Sequence, residues 1–501
     1  MKILLSIVLI IGELGYLLYP LQSSAQKFDQ HWLIGYDYDQ QGNIYNSYLD
    51  FSNDTLTVTS RPSLSRFSLS LDISMSDKEG NFLFYSDGCK IAGPDNQVIN
   101  NGGNINQGGT ALAYCSDIGY PVMQGGLVLT SPGNLDQYNY IGYYLQFTDK
   151  YGTRPLRLYN HHLDFTNGIG KVTSKNASII QDTFSSGNLA ACKHANGEDW
   201  WILAPKIQSN EYYTVLLDKT GFKKKDKQSI GPLFDRFTDW SGQAIFSPDG
   251  KKYARYDRGN DLTIFDFDRC DGLLSNPLHI TINDYADTLS IGCGIAFSSN
   301  SRFLYAPSGL SIYQFDMDAV DIPNSQITVA QSTDSIPANF FLAQLGPDNK
   351  IYICSIGSIY ALHVIDKPNL PGKACNVKLY NIPLFYQVNG SMPYYPNYRL
   401  GPLEGQPCDS INNTSSQNLI SSVIVYPNPA SDAITIEFSE TLPAKEFVLE
   451  ILNLSGRVIL TRAVSTESNQ VIQVSDFNPG MYLWRIKNQV EVSRTGKIII
   501  N

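Results

Sequence analysis

The chain has 501 residues, a formal net charge of −10 and a pI near 5.1. This acidic balance excludes a nucleic-acid partner, which would require a basic face. The length allows two or three domains. The 31 Tyr and 39 Gly favour β structure, because aromatic residues suit strands and glycines suit the turns between them.

Residues 1–25 have the pattern of a secretory signal peptide. Met1-Lys2 is a short basic start, residues 3–18 are mostly apolar, and Ser23-Ser24-Ala25 provides the small residues that a signal peptidase requires. Glu13 interrupts the apolar run, so a transmembrane anchor is not expected. Cleavage after Ala25 would leave an exported chain.

A repeat occupies residues 26–408. Strand-like segments begin at intervals of 48–62 residues, at Trp32, Phe82, Tyr138, Trp200, Tyr253, Phe303 and Ile351. Periods of about 40–50 residues indicate the blades of a β-propeller. Turns such as Ser247-Pro248-Asp249-Gly250-Lys251 precede several starts, since Asp-Gly adopts a positive φ at low cost. We predict an all-β propeller of seven blades, with six as the alternative if residues 27–60 form a separate flap.

The first repeat starts at its second strand, because nothing strand-like precedes Trp32. Each blade buries its faces only against its neighbours, so the ring must close to be stable. We therefore expect a strand from the C-terminal side, within residues 377–380 or 392–400, to complete the first blade.

Three segments resemble secreted WD40/YVTN-like propeller proteins. They are Gly197-Glu198-Asp199-Trp200-Trp201, Phe267-Asp268-Arg269-Cys270 and Asn397-Tyr398-Arg399-Leu400-Gly401-Pro402-Leu403. The resemblance covers residues 27–408. It implies the fold and an extracellular destination, and it implies no particular activity.

The eight cysteines favour disulfides in an exported chain. Eight cysteines allow 105 pairings, so only proximity in sequence selects among them. Proximity gives Cys89 with Cys115, Cys270 with Cys293, and Cys375 with Cys408. Cys192 and Cys354 remain, both in strand-like runs, and we favour buried free thiols there over a cross-blade bridge.

Catalytic and metal-binding motifs are not evident, and we predict no cofactor and no metal. His161-His162 is the only histidine cluster, and adjacent strand residues point to opposite faces. The sequence contains no Gly-x-Ser-x-Gly, His-Glu-x-x-His or P-loop motif. A triad assembled from distant loops would leave no local trace, so enzymatic activity stays open.

Acidic and aromatic residues recur along the repeat. Most third strands end in aspartate, at Asp50, Asp164, Asp218, Asp266, Asp316 and Asp366. Asp266 with Asp268, and Asp316 with Asp318, have the spacing of paired carboxylates, but the recurrence favours turn caps in the scaffold. Aromatic doublets such as Trp200-Trp201 and Tyr143-Tyr144 favour packing between blades, with an exposed glycan-binding patch as the alternative.

Two functions therefore remain open for the propeller. The first is a non-enzymatic module that binds a protein or a glycan through its rim or central tunnel. The second is a propeller-based glycoside hydrolase or polysaccharide lyase. Two carboxylates about 5–10 Å apart at the tunnel mouth, beside aromatic residues, would favour the second.

Residues 409–422 read as a linker, because they are rich in Asn, Ser and Thr and offer little apolar surface to bury. Residues 423–501 read as a small Ig-like β-sandwich. The alternating runs 434–438, 448–454 and 481–486 are typical of strands, and Ser455-Gly456 and Pro479-Gly480 are typical of turns.

Four ordered motifs in this last segment resemble the type A C-terminal sorting domain of the type IX secretion system of Bacteroidota. They are Tyr426-Pro427-Asn428-Pro429-Ala430, Leu454-Ser455-Gly456-Arg457, Pro479-Gly480-Met481-Tyr482 and Lys497-Ile498-Ile499-Ile500. The sorting signal is accordingly assigned to Tyr426, Pro427, Asn428, Pro429, Gly456, Gly480, Tyr482 and Lys497.

The resemblance also implies a route and partners. The chain would cross the outer membrane through the type IX secretion machinery. A sortase would cleave between Asp409 and Val423, and the new C-terminus would be joined to outer-leaflet lipopolysaccharide or released. The expected location is therefore the cell surface or the medium, reached through the periplasm.

Overall fold

The structure is a computed structural model that describes most of the chain after residue 25. The described residues are 26–38, 40–41, 43–52, 55–62, 71–116, 119–148, 152–224, 227–234, 242–257, 259–282, 293–333, 339–403, 408, 423–438, 447–453, 457–465, 469–487 and 492–501. The predicted signal peptide, the linker and Gly456 lie outside them. The chain divides into two compact units, 1–410 and 411–501.

The first unit is built almost entirely of strands. Its N-terminal part contains β1 (His31–Tyr38), β2 (Ile44–Asp50), β3 (Thr57–Pro62), β4 (Ile73–Ser76), β5 (Phe82–Ser86), β6 (Ile91–Ala92), helix α1 (Gly109–Tyr114), β7 (Gly126–Ser131), β8 (Asn134–Thr148), β9 (Gly152–Asp164) and β10 (Lys171–Gln181).

The rest of the unit repeats the same short strands. They are β11 (Ala190–Lys193), β12 (Trp200–Pro205), β13 (Glu211–Asp218), β14 (Gly221–Lys224), β15 (Gln228–Ser229), β16 (Gln243–Phe246), β17 (Lys252–Asp257), β18 (Asp261–Asp268), β19 (Leu273–Ile280), β20 (Ala296–Phe297), β21 (Phe303–Ser308), β22 (Ser311–Asp316), β23 (Ile327–Gln331), β24 (Asn339–Leu345), β25 (Ile351–Ile356), β26 (Ile359–Ile365) and β27 (Val377–Val388). Two 3₁₀ turns cover Pro323–Ser325 and Gly372–Cys375.

Consecutive strands pair into small antiparallel sheets, which is the architecture of a β-propeller. The sheets are β4–β6, β7–β10, β11–β14 with β15 paired to β13, β16–β19, β20–β23, and a seven-stranded sheet in the order β24-β25-β26-β27-β1-β2-β3. All seven predicted strand starts lie in strands. The seven-stranded sheet can be counted as one blade or as two. The number of blades depends on this count, so seven blades stays a prediction.

A strand from the C-terminal side adjoins the first blade, as expected, but it does so through a single bridge at its far end. Residues 377–380 belong to β27, the outer strand of the last repeat, whose far end bridges β1 through Tyr36 and Gln387. Residues 392–400 form no strand. Pro393 and Pro396 explain this, because proline lacks the N–H that a strand ladder requires.

The first strand of each repeat, namely β4, β7, β11, β16, β20 and β24, is called an inner strand here. Inner strands of neighbouring sheets touch directly, as in the pairs β4 with β7, β11 with β16 and β20 with β24. Bulky residues such as Trp32, Trp200, Tyr138 and Tyr140 are fully buried between the sheets. Stacking sheets through these side chains buries the apolar faces that an isolated sheet would expose.

The recurring aspartates belong to this scaffold, as the sequence indicated. The side-chain oxygens of Asp50, Asp164, Asp218 and Asp316 each accept the backbone N–H two residues later, at 2.7–3.0 Å. Asp266 and Asp366 instead bind lysines, Lys252 at 3.0 Å and Lys350 at 3.2 Å. In both arrangements the carboxylate stabilises the turn or strand end beside it.

One region departs from the repeat. Strands β8 and β9 have 15 and 13 residues, and an insertion at 93–125, which contains α1, precedes β7. Pairing between β7 and β8 ends at Gly126 with Gly142, whereas pairing between β8 and β9 continues to Thr148 with Gly152. The β8–β9 hairpin therefore projects past the end of its inner strand.

The second unit contains two antiparallel sheets around one core. Its strands are β28 (Val423–Tyr426), β29 (Ala433–Phe438), β30 (Phe447–Leu452), β31 (Val458–Val464), β32 (Gln470–Gln473), β33 (Gly480–Lys487) and β34 (Val492–Ile500). The sheets are β28-β29-β32 and β31-β30-β33-β34. Ile436, Leu449, Trp484 and Ile498 meet in the core. The predicted alternating runs supply the first three of these side chains, and Ile498 comes from β34.

Candidate functional site

Residues 391–403, called the plug, cross the ends of the inner strands and fill the centre of the propeller. Three buried or half-buried tyrosines anchor it. The Tyr398 hydroxyl donates to Val128 O at 2.6 Å, the Tyr395 hydroxyl donates to His31 O at 3.0 Å and pairs with Ser74 Oγ at 2.7 Å, and the Tyr394 hydroxyl accepts from Ala191 N at 3.3 Å. The plug thus binds four repeats through side chains alone.

Further polar contacts hold the rest of the plug. Asn397 Nδ2 donates to Pro248 O at 2.7 Å, and Arg269 Nη2 donates to Gly401 O at 2.7 Å. Leu403 N donates to Ala195 O at 2.8 Å. All these partners lie in or beside the turns between the first and second strands of their repeats, or in the loop that follows β18. We call this side of the propeller the exit face, because the chain leaves the propeller there.

A pocket of about 230 Å³ lies between the plug and the inner strands. Backbone and apolar groups line most of it, including Phe246 and Phe297. Among its described lining residues, Asp29 is the only carboxylate, and it forms an ion pair with Arg399. A glycosidase typically uses two carboxyl groups, one as a general acid and the other as a general base or nucleophile. The described residues at this mouth do not provide them.

Lys193 is the unusual titratable group of this pocket. Its side chain is buried, its Nζ donates to Glu198 O at 3.0 Å, and it lies 4.0 Å from the centroid of the Trp200 ring. Burial lowers the pKa of Lys193 to about 8, because removal from water disfavours the ammonium form. The aromatic ring and the carbonyl oxygen account for the position of the ammonium group, so Lys193 has a structural role here.

Three buried histidines share one hydrogen-bonding pattern. Nδ1 accepts a backbone N–H in each, from Asn176 to His161, from Tyr380 to His363 and from Asn196 to His194, at 3.1–3.3 Å. The other nitrogen must then carry the hydrogen. Burial lowers the pKa of His161 to about 3 and that of His363 to about 4.

This tautomer excludes a serine nucleophile at the Ser–His pair of the last repeat. His363 Nε2 lies 2.9 Å from Ser355 Oγ, with both side chains fully buried. Because Nε2 carries the hydrogen, the ring donates to the serine and cannot accept its proton. The pair has the composition of a catalytic dyad without its chemistry.

The predicted histidine cluster does not form a metal site. His161 is buried against Asn106, and His162 Nδ1 contacts Thr173 Oγ1 at 2.7 Å on the other face of β9. Among the described residues, no group of three histidine, cysteine or acidic side chains is placed to bind a metal ion. In that same part of the chain, no helix is long and apolar enough to cross a membrane.

The two predicted carboxylate pairs are engaged in the scaffold. Asp268 Oδ1 accepts from Cys270 N at 2.7 Å and caps its turn, while Asp266 binds Lys252 and Asn276. Asp316 is held by Arg302, whose Nη2 lies 2.8 Å from Asp316 Oδ2. Asp318 is exposed and lies 3.6 Å from Arg302 Nε, so each pair has at least one carboxylate that is bound to the scaffold.

The aromatic doublets mostly pack inside, as expected. Trp200, Trp201, Tyr143 and Tyr212 are at most 1% exposed. Tyr144 differs, because it lies on the projecting part of the β8–β9 hairpin and is only half-buried. It lines an open hollow of about 390 Å³ between the hairpin and α1.

Two disulfides form, and one differs from the prediction. Cys89 is bonded to Cys115, the predicted pair, and this bond ties the end of α1 to the β5–β6 turn. Cys270 is bonded to Cys408, so the predicted pairs Cys270–Cys293 and Cys375–Cys408 are wrong. The plug brings Cys408 to the exit face, where the turn after β18 carries Cys270. Cys293 and Cys375 are buried free thiols, as are Cys192 and Cys354.

The assigned sorting residues lie at two ends of the second unit, and Asn428 joins them. Asn428 Nδ2 donates to Lys497 O at 3.1 Å, and Ile499 N donates to Asn428 Oδ1 at 2.9 Å. Ala430 continues the contact by exchanging backbone hydrogen bonds with Ile499 and Asn501. The structure thus brings together the Tyr426-Pro427-Asn428-Pro429 motif and the strand containing Lys497.

The other assigned residues lie elsewhere in the unit. Gly480 begins β33, and the Tyr482 hydroxyl donates to Asn478 O at 2.9 Å. Tyr426 is 40% exposed. Its exposed ring, with the prolines that follow it, leaves this motif accessible to a partner.

Residues 424–501 match the family described as a secretion system C-terminal sorting domain. The second unit is therefore a type IX secretion sorting domain. The chain is a β-propeller that this system exports to the cell surface or the medium, and the secretion machinery is one of its partners.

Solved structures that match the chain have low sequence identity and low TM-scores. A protein from Lactobacillus plantarum is 14% identical with a TM-score of 0.39, over 72% of this chain and 97% of that chain. A putative 6-phosphogluconolactonase from Bacteroides uniformis is 14% identical with a TM-score of 0.36, over 88% and 99%. The Dos1 propeller is 12% identical with a TM-score of 0.35, over 65% and 79%.

The activities in those names belong to those proteins, and such low similarity says nothing about the chemistry of this chain. No curated protein matches the chain significantly.

Some important contacts carry no signal in the sequence. The amides of Gln124 and Gln243 link inner strands of different repeats. Gln124 Nε2 donates to Leu189 O at 3.1 Å, and Gln243 Nε2 donates to Ala343 O at 2.8 Å. An isolated glutamine in a loop or at a strand start looks ordinary. The Pro393 and Pro396 pattern is the one signal that could have predicted an irregular plug.

Proposed function

We propose that this protein is a non-enzymatic binding module for a glycan or a protein, which the sorting domain delivers to the outside of the cell. The plug carries this proposal. It occupies the centre of the propeller, where propeller enzymes usually place their acids. Among the described residues that line the pocket beside it, the one carboxylate is already paired with Arg399. The alternative of a glycoside hydrolase or lyase lacks its pair of acids there.

The route after export is also part of the proposal. A sortase would cleave within residues 409–422, and the propeller would then be attached to lipopolysaccharide or released. Cys408 lies just before this linker and is bonded to Cys270. The cleaved propeller would therefore keep its plug covalently fastened at the exit face.

The test of binding against catalysis uses the protein purified from the surface or the medium. It is applied to a glycan array and to immobilised extracellular proteins, and in parallel it is incubated with neutral and acidic polysaccharides. We expect saturable binding to a ligand. We expect no release of new reducing ends or of unsaturated products. Release of such products at enzymatic rates, lost when Asp29 is replaced by Asn, would establish the hydrolase or lyase instead.

A further inference from the structure

The insertion and the long hairpin build a hollow that the repeat does not require. Its floor and one wall come from β8 and β9, with Tyr144, Gln146 and Thr153, and its other wall comes from α1, with Tyr114 and Gly109. Loops and elaborations on a rigid scaffold commonly carry binding functions. The hollow lies where these two elaborations of the repeat meet.

The walls of the hollow are fixed before any ligand arrives. Leu145 of the hairpin gives both its backbone groups to the insertion, its N–H to the Tyr120 hydroxyl at 2.7 Å and its carbonyl to Thr110 Oγ1 at 3.0 Å. The Cys89–Cys115 disulfide holds the other end of α1. A rigid site loses little conformational entropy on binding.

Tyr144 is itself held in place from behind. Its ring lies 5.1 Å from the Tyr159 ring and 5.7 Å from Arg157 Cζ, and Arg157 Nη1 donates to the Tyr159 hydroxyl at 3.0 Å. Its hydroxyl lies against Gly108, where a Cβ atom would come within 2.3 Å. The ring therefore presents a fixed surface at the floor of the hollow.

The chemistry of the lining selects the ligand. Two tyrosines supply ring surfaces, Gln146 supplies an amide and Thr153 a hydroxyl, and the lining residues that the structure describes are all uncharged. Tyr114 is 38% exposed, and Gln146 and Thr153 are exposed. Aromatic faces pack on the C–H faces of sugar rings, while amides and hydroxyls bond their hydroxyl groups. We propose that this hollow binds a neutral oligosaccharide, with one sugar ring against Tyr144.

The position of the hollow fits this role. The plug contacts the turns that join the first and second strands of the repeats, and Asn134 of β8 lies at the corresponding turn. Gln146 is near the other end of β8. The hollow therefore opens at the side of the propeller away from the exit face, where a surface attached through the C-terminus would not cover it.

This inference rests on the proposed binding function and is tested with the full secreted protein. Cellohexaose, maltohexaose and mannohexaose are titrated by calorimetry, with polygalacturonate as the charged comparison. At least one neutral hexasaccharide should bind, and Tyr144→Ala should weaken binding at least tenfold, whereas Tyr144→Phe should keep it within threefold. Gly109→Trp should abolish binding, because a Cβ at Gly109 meets nothing within 4 Å and the ring would enter the hollow.

Two matched controls isolate the hollow. Gly103→Trp places the same bulk on the same insertion, also where a Cβ meets nothing within 4 Å, but outside the lining. Tyr360→Ala removes a tyrosine that is 52% exposed in the last repeat. Both should bind within twofold of the parent, and thermal melts should show that all variants are folded.

The outcomes separate this inference from the proposed function. If a neutral hexasaccharide bound with an affinity that Tyr144→Ala and Gly109→Trp did not change, the hollow would not be its site. The proposed function as a binding module would stand. Binding of none of the three would also overturn the hollow and leave a protein ligand for the proposed function. Tighter binding of polygalacturonate would overturn the neutral ligand and leave an acidic glycan for the proposed function. Cleavage of an oligosaccharide would overturn the proposed function itself.

Discussion

The Arg399 guanidinium holds the Asp29 carboxylate with two hydrogen bonds, at 2.7 and 2.5 Å, across 370 residues of chain. Asp29 precedes the first strand and Arg399 lies in the plug, so this pair fastens the beginning of the propeller to its end. The Asp29 side chain is 9% exposed. A buried carboxylate that loses its partner keeps the cost of its desolvation.

We therefore expect Arg399→Met to lower the free energy of unfolding by about 2 kcal/mol, as measured by urea denaturation. Arg302→Met is the control, because Arg302 pairs with Asp316 in the same two-bond geometry but is 47% exposed. Arg302→Met should lower the free energy of unfolding by less than about 1 kcal/mol. Equal effects of the two substitutions would show that the Asp29 pair does not close the ring.

The Cys270–Cys408 disulfide should contribute more to stability than Cys89–Cys115. It closes a loop with a sequence separation of 138 residues, compared with 26 for the other bond. The chain-entropy argument gives about 5 kcal/mol for the longer loop and about 3.5 kcal/mol for the shorter. Denaturation of Cys408→Ser and Cys115→Ser compares them, and a larger loss in Cys115→Ser would contradict the expectation.

Peptide mapping without reductant provides a direct check of the pairing. Peptides containing Cys270 and Cys408 should be linked, and Cys192, Cys293, Cys354 and Cys375 should react with alkylating reagents only after unfolding, because all four are buried. Recovery of a linked Cys270 and Cys293 would show that the plug is not fastened as described.

The buried neutral histidines predict acid destabilisation. Burial holds the pKa of His363 near 4 in the folded state, below its ordinary value of about 6.5. Between these values the unfolded chain binds the proton more readily, so stability falls as the pH decreases from about 6.5 to about 4. His161 extends the same trend downward, because its pKa is lowered to about 3.

His363→Gln should lower the melting temperature at pH 7.5, because Ser355 Oγ and the Tyr380 N–H lose their hydrogen bonds to the imidazole ring. It should also reduce the dependence of the melting temperature on pH between 4 and 6.5. If the melting temperature of His363→Gln depended on pH as that of the parent does, this histidine would have the same pKa in the folded and unfolded states.

Asn428 should be required for export, because it alone joins the Tyr426-Pro427-Asn428-Pro429 motif to Lys497 and Ile499 through its side chain in the described tail. Asn428→Ala should leave the folded propeller in the periplasm. Asn453→Ala is the control, since Asn453 Oδ1 accepts the Arg457 N–H in a different turn of the same unit. Fractionation and immunoblotting measure the effect, and equal retention of both variants would indicate a general loss of tail stability.

The sequence could predict what is local and repeated. The strand starts, the aspartate-capped turns and the sorting motifs each depend on residues within a few positions of one another. Contacts set by the plug could not be predicted. Cys408 meets Cys270 because the plug crosses the propeller, and proximity in sequence favoured Cys293 instead.

The candidate site shows the same division. The sequence indicated that most aromatic doublets pack inside, and it treated Tyr143-Tyr144 like the others. Only the register of β8 reveals that Tyr144 lies beyond the last residue paired with β7. The length of a hairpin relative to its neighbours depends on three strands at once, so no single run of residues encodes it.

The position of the plug along the chain has a consequence for quality control during export. Synthesis proceeds from the N-terminus, so the propeller is neither closed by β27 nor filled by the plug until residues 377–403 have been made. Residues 424–501, which address the protein to the secretion system, follow the plug. A chain interrupted anywhere in the propeller therefore lacks the sorting domain. Because of this order of segments, the secretion system recognises only chains that are long enough to complete the ring.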